Sequence, residues 1–425
     1  MKNKIIKIVI WIISWLRSGS LRRKIILPFL SSKFFTFLSL DFLKPPRNKI
    51  SDNPARSQIL FQKIYLKIFR KPEVFLCNFQ DTLRVCATYR CNLSCKSCYA
   101  RGLHDQMPVD MKIDDFKRLI KWSKDKGWKK IRFLGGEATI HPEFIKMLDI
   151  CYQNQMMVTI PTNNLFPEKI LKNLDNRLVK DISINYNAGF MNDKQKNRLF
   201  RENIGKLAQR DMPFGFSYVL SYEEDSDNWT DLIKDAERFK PLYIRVSIEL
   251  PSFSDQSFFA ELDPDALFAK VHRMWQMSAK LYIPFFFYRP VLLCMVPQWV
   301  LDSDYYSGHL FFTCCPISYC SKDSGYGTMV TVNPDLSTFP CASVFIKGPE
   351  ILSFNDRSEI DLFYREQIKA LLLTPLMNKC NYCKYRREFV AAVQKDQAMI
   401  DDKGICQAGC ANFRCHNSVC FNCKE

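Results

Sequence analysis

From Leu83 to Pro251, strand-like and helix-like segments alternate, and this alternation limits the fold more than any other feature of the chain. The strand-like runs are LRVCAT (Leu83 to Thr88), KKIRFLGG, MVTIPT, DISINYN, FGFSYVLS and YIRVSIELP. Between them, IDDFKRLIKWSKDKG, PEFIKMLDICYQN, PEKILKNL, DKQKNRLFRENIGKLAQ and WTDLIKDAERF carry apolar residues at helical spacing. The first of these helices opens on acidic residues and stops at Gly127. Six strands joined by helices imply an α/β protein with a parallel, right-handed βα array. Functional residues of such arrays gather at the carboxyl ends of the strands.

Two motifs fall at those ends. Cys91, Cys95 and Cys98 follow the first strand, and Gly135, Gly136 and Glu137 close the second. The chain has 425 residues, 47% of them hydrophobic, enough for one large core or two smaller ones. Its 18 cysteines bunch in clusters instead of marking out a small secreted disulfide framework. That distribution favours metal or iron-sulfur ligation in a reducing cytoplasm.

The N-terminus is basic and apolar together. Residues 1–50 hold eleven Lys and Arg against Asp41 alone, which supplies ten of the chain's formal +17. The run IIKIVIWIISWL lacks a following cleavage site and is shorter than the ~20 residues a bilayer span needs. With Trp11, Trp15, Phe34, Phe35 and Phe37 it suits an interfacial helix facing an anionic membrane surface, and it suits equally a helical pair packed on the body. No recognition motif for nucleic acid accompanies the charge, so no nucleic-acid partner is expected.

Three thiols at C-x3-C-x2-C can hold zinc, with His104 as a fourth ligand, or three irons of a [4Fe-4S] cluster whose fourth iron stays open. The chain's only Gly-Gly pair stands beside Glu137, in a sequence with 14 glycines, about half the usual ~7%. Two residues without Cβ admit a close ligand, and an adjacent carboxylate can accept a hydrogen bond from an ammonium group. A zinc ribbon has no use for this second element.

Cys91, Cys95 and Cys98 after the first strand, with Gly135-Gly136-Glu137 after the second, closely resemble the radical S-adenosylmethionine (SAM) enzymes over roughly residues 80–250. The resemblance implies a partial (β/α)6 TIM-like barrel. It also implies that the open iron of the cluster is chelated by the amine and carboxylate of SAM, with the Gly135-Gly136-Glu137 edge at the amine. One electron then cleaves the sulfonium bond, and a 5′-deoxyadenosyl radical takes hydrogen from a substrate, an oxidoreductase chemistry fed by a donor such as flavodoxin or ferredoxin.

The family usually has an aromatic residue before the third cysteine; this chain has Ser97 there and Tyr99 just after. By the same resemblance, Asn163, Asn164, Ser183 and Asn185 line the ribose and carboxylate of the cofactor. Strand alternation puts Ser183 and Asn185 on one face, which also suits polar groups bonded to neighbouring backbone. His141 reads as a cap of the following helix.

The C-terminal cysteines resemble the SPASM extension of this family. Cys320, fifteen residues, Leu336, four residues and Cys341 follow its first pattern with leucine in place of glycine. Cys380-x2-Cys383 and Cys406-x3-Cys410 follow its second, separated by 22 residues instead of five. Carried over by position, one auxiliary cluster uses Cys314, Cys320, Cys341 and Cys410, and another Cys380, Cys383, Cys406 and Cys423. Structural zinc in a ribbon-like tail is the alternative.

The expected organisation is a basic helical N-terminal segment (1–75), the partial barrel (76–255), an aromatic-rich connection (256–312) and a cysteine-rich SPASM-like domain (313–425). SPASM-bearing relatives mostly modify peptides or proteins, so a peptide or protein side chain is the expected substrate. Ala342 after Cys341, where the sulfatase-maturing branch has Asp, argues against that branch. A lipid or glycan at the inner face of the cell membrane is the alternative substrate, and a zinc-binding protein without catalysis the remote one.

Overall fold

The computed structural model describes residues 82–95, 98, 100, 107–186, 193–220, 229–248, 263–281, 283, 285–287, 297–301, 330–340 and 347–364. In chain order the elements are β1 (Thr82–Thr88), α1 (Ile113–Asp125), β2 (Lys130–Gly135), a 3-10 turn (Ala138–Ile140), α2 (Phe144–Gln153), β3 (Met157–Thr162), α3 (Glu168–Lys172) and β4 (Val179–Asn185). Then come α4 (Lys194–Gln209), β5 (Phe214–Leu220), α5 (Trp229–Phe239), β6 (Ile244–Ile248), α6 (Pro264–Lys280), β7 (Phe285–Phe287) and α7 (Gln298–Leu301). Three short strands follow, β8 (Thr331–Val332), β9 (Ser337–Phe339) and β10 (Gly348–Glu350), and a 3-10 turn (Ile351–Ser353).

All ten strands form one sheet in the order β10-β9-β8-β1-β2-β3-β4-β5-β6-β7. Strands β1 to β7 are parallel and stand in sequence order, so each crossover steps the same way and no switch point arises. Right-handed crossovers then lay the helices on one face and leave the other face open, the winding of a partial barrel. Val85, Phe133, Ile160, Ile184, Phe216 and Val246 form the buried row beneath the helices. Phe133 meets the Phe144 ring edge to face at 5.1 Å, fixing α2 on β2.

The helix ends explain themselves chemically. After α1, Gly127 takes φ 78, its N–H donates to the Lys124 carbonyl and the Trp128 N–H to that of Ser123, a double closure that satisfies the last carbonyls. Asp193 caps α4 by accepting from the N–H groups of Gln195 and Lys196.

The six expected strands are present, and the array runs further than expected. α6 and β7 add a further helix and a seventh parallel strand, within the stretch read as an aromatic-rich connection. Asp263 caps α6 with Pro264 at its first turn. On the other side, β8 pairs in parallel with β1 and carries the β9 hairpin, so part of the C-terminal region extends the same sheet. Among the described residues no helix is long and apolar enough to cross a membrane.

Candidate active site

The loop that follows β1 is held from three sides. The Tyr89 hydroxyl donates to Asn333 Oδ1 at 2.7 Å, just after β8. The Glu137 N–H donates to the Arg90 carbonyl at 2.8 Å, and Asn163 Nδ2 to Asn92 Oδ1 at 2.6 Å. Ends of β2, β3 and β8 thus converge on the segment that begins the cysteine triad.

Gly135 and Gly136 make this convergence sterically possible. A Cβ at Gly135 would lie 2.1 Å from the Thr88 carbonyl oxygen, and one at Gly136 2.1 Å from that of Arg90. Gly135 also takes φ 105, a conformation costly for other residues. The expected close approach exists, but the partner it admits here is the backbone leading to Cys91.

Cys91 is exposed, Cys95 and Cys98 are partly buried, and none of the three forms a disulfide. The Cys98 N–H donates to the Cys95 carbonyl at 3.3 Å. Lost hydration pushes the Cys91 thiol up to about 11, and the nearby Glu137 carboxylate adds to this. Among the described residues no three Cys, His, Asp or Glu side chains are gathered round a metal-sized centre, so the loop brings the cysteines near one another without closing them.

Glu137 is 2% exposed. Its Oε1 accepts from the hydroxyls of Thr139 at 2.6 Å and Thr162 at 2.8 Å, and its Oε2 accepts from the Asn163 N–H at 2.7 Å. Burial pushes its carboxyl above the ordinary range, and these neutral donors oppose that shift. No cation pairs with it among the described residues.

Thr139, Thr162 and Asn92 are site residues that the sequence reading missed. Thr162 ends β3 and Asn92 directly follows Cys91, which are the positional signals for both.

The four polar residues expected around the cofactor separate. Asn163 joins Glu137 through its backbone and Asn92 through its side chain. Asn164, fully buried at φ 63, donates from Nδ2 to the Phe200 carbonyl of α4. Ser183 is buried near Tyr243 on the face of β4 away from the helices, and Asn185 alone of the four keeps partial exposure. His141 accepts the Glu143 N–H on Nδ1 at 3.0 Å, so its Nε2 carries the proton and donates to the Met111 carbonyl at 3.1 Å. It was expected to cap α2; its ring instead holds the N–H of Glu143, the residue at the N-cap.

Tyr99 and Ser97 lie outside the described residues, as do Cys314, Cys320, Cys341, Cys380, Cys383, Cys406, Cys410, Cys423 and the basic segment 1–50.

A family model described as the radical SAM superfamily matches residues 85–236, the span from β1 to α5. Those residues are a radical SAM domain. The domain is similar to a GTP 3',8-cyclase of Aliarcobacter butzleri, 30% identical over 31% of this chain and 39% of the relative. It is also similar to the antilisterial bacteriocin subtilosin biosynthesis protein AlbA of Bacillus subtilis, 27% identical over 29% of this chain and 27% of that protein. Each match thus spans well under two thirds of the relative's own length. Among solved structures, SuiB of Streptococcus suis bound to S-adenosylmethionine shares the fold at TM-score 0.52, 13% identity and 76% coverage of both chains.

A radical SAM domain implies S-adenosylmethionine and a [4Fe-4S] cluster. The residues fit both groups. Three thiols outside any disulfide share one loop, and a carboxylate with no cationic partner among the described residues stands at the adjoining strand end.

Proposed function

We propose that the chain cleaves S-adenosylmethionine reductively at a cluster held by Cys91, Cys95 and Cys98, and oxidises or cross-links a peptide or protein side chain. The observation that carries this reading is the buried Glu137 carboxylate, whose contacts among the described residues come from neutral donors. A buried charge without a counter-ion is costly, and an ammonium group of a ligand relieves that cost. The cluster and S-adenosylmethionine, when bound, supply a 5′-deoxyadenosyl radical for hydrogen abstraction. Glu137 holds the amine, Gly135 and Gly136 keep the cysteine loop against β2, and partly exposed Asn185 faces the ribose and carboxylate.

Auxiliary clusters on the C-terminal cysteines belong to the same proposal. Leu336 stands where the SPASM pattern has glycine, and it takes φ 64, the left-handed conformation that glycine adopts freely. Its buried side chain, 2% exposed, offsets a backbone cost of roughly 1–2 kcal/mol. β9 then leads to Pro340, the residue before Cys341, with Phe339 packed in the small cluster that holds Tyr89 and adjoins Cys98.

The peptide class rests on the biosynthetic role printed for AlbA. A second reading, a nucleotide substrate, rests on the name of the Aliarcobacter relative. Anaerobic purification with iron and sulfide analysis tests the cofactor reading: about twelve irons per chain fit three clusters and about four fit one. Zinc without iron sinks it. Incubation with GTP and with cysteine-rich or aromatic peptides, read by mass spectrometry, separates the two substrate classes.

A further inference from the structure

Asn163 links the cysteine loop to the Glu137 carboxylate, using its side chain for the first and its backbone for the second. Its N–H donates to Glu137 Oε2 at 2.7 Å, and its Nδ2 donates to Asn92 Oδ1 at 2.6 Å. Both amide orientations are set by backbone partners. Asn163 Oδ1 accepts from the Leu165 N–H at 3.0 Å, so its Nδ2 must be the group that faces Asn92. Asn92 Nδ2 donates to the Leu165 carbonyl at 3.2 Å, so its Oδ1 must be the group that faces Asn163. Leu165 therefore closes a ring of polar contacts across the turn after β3.

The ring has a mechanical consequence. Asn163 is 7% exposed and Glu137 2%, so their contacts are sheltered from competing water. Asn92 lies on the loop side of the junction: it directly follows Cys91 and is exposed. A shift of the loop reaches the carboxylate through Asn163 alone on this side, while the Glu137 N–H holds Arg90 on the other.

We propose that Asn92 is a positioning residue that couples the cysteine loop to the Glu137 carboxylate, so that ligand binding at Glu137 depends on where the loop stands. This deepens the proposed function and rests on its reading of Glu137 as the amine contact. Asn92 touches neither cofactor in this account; it acts through Asn163.

The test is a double-mutant cycle on the anaerobically purified full chain, with S-adenosylmethionine affinity measured by equilibrium dialysis and iron content measured in parallel. Asn92→Leu keeps the side-chain size and removes both hydrogen bonds. It is expected to keep its iron and to weaken S-adenosylmethionine binding about tenfold, equivalent to ~1.4 kcal/mol. In Glu137→Gln the same Asn92→Leu change is expected to cost less than threefold, because the charge it positions is gone. Equal losses in the two backgrounds, or no loss in either, overturn the coupling.

Asn92→Asp keeps the acceptor for Asn163 and removes only the donor to Leu165, so it is expected to retain iron and bind with intermediate affinity. Loss of iron in both Asn92 variants makes the residue a structural support and also overturns the proposal. If Glu137→Gln alone leaves affinity unchanged, it is the reading of Glu137 that fails.

Discussion

Two carboxylates of the sheet, buried Glu137 and half-buried Asp181, are treated in opposite ways. Asp181 on β4 accepts from the Tyr243 hydroxyl through both oxygens at 2.9 Å, and the guanidinium charges of Arg132 and Arg245 act on it. Glu137, at the end of β2, has two hydroxyls and backbone N–H groups, and no ion pair among the described residues. Burial pushes both carboxyls upward. One charge meets cationic neighbours, and the other is oriented with no counter-charge among the described residues. The proposed role of Glu137 as the contact of a cationic ligand rests on this contrast.

Substitution of the two carboxylates separates these roles most sharply. Glu137→Gln should weaken S-adenosylmethionine binding roughly 100-fold, the loss expected when a buried charged partner is removed. Its thermal stability should hold or rise, since an uncompensated buried charge is gone. Asp181→Asn should do the reverse, lowering stability by roughly 3 kcal/mol while folded protein binds normally. Melting curves and dialysis on the same two variants decide; a stability loss in Glu137→Gln matching that of Asp181→Asn breaks the comparison.

Gly136→Ala should have the next largest effect. The new Cβ meets the Arg90 carbonyl oxygen at 2.1 Å, so the loop must move away from β2. About 1–3 kcal/mol of stability and much of the iron content should be lost. Unchanged iron in this variant would show that the loop does not depend on its contact with β2.

The pH dependence gives a smaller signal with a definite sign. Because the Glu137 carboxyl titrates above 4.5 in the folded chain, its ionisation penalises folding as pH rises through that window. Relative to Glu137→Gln, the wild type should therefore lose stability as pH increases from 4.5, while its ligand affinity grows over the same range. His141 has the opposite sign. Burial holds it below its usual 6.5, so its contribution is present above 6.5 and is lost on acidification. His141→Gln should flatten that acid loss.

Much of the barrel was legible because its signals are local. MVTIPT and WTDLIKDAERF match β3 and α5 residue for residue, since alternation and helical spacing are carried by the segments themselves. β7 was not, because three consecutive phenylalanines show no alternation. α6 did announce itself through Asp263-Pro264, a capped start that the aromatic composition around it obscured. The short strands β8 and β9 depend on pairing with distant β1 and on a left-handed leucine where glycine was expected, and neither is visible in sequence.

The candidate site divides along the same line. The cysteine spacing and Gly135-Gly136-Glu137 are contiguous motifs and were readable. Thr162 meets Glu137 across 25 positions and Asn163 meets Asn92 across 71, through strand register alone. The glycines were expected to admit a ligand closely, and the close approach found there is to the backbone of Thr88 and Arg90.

The central claim is that the Cys91, Cys95, Cys98 loop and Glu137 together cleave S-adenosylmethionine. Release of 5′-deoxyadenosine from the reduced, anaerobic full chain tests it most directly. The account predicts release by the wild type, none after replacement of the three cysteines by alanine, and strongly reduced release in Glu137→Gln at limiting S-adenosylmethionine. Release that persists without the three cysteines, or an iron-loaded wild type that releases none under reduction, would contradict it.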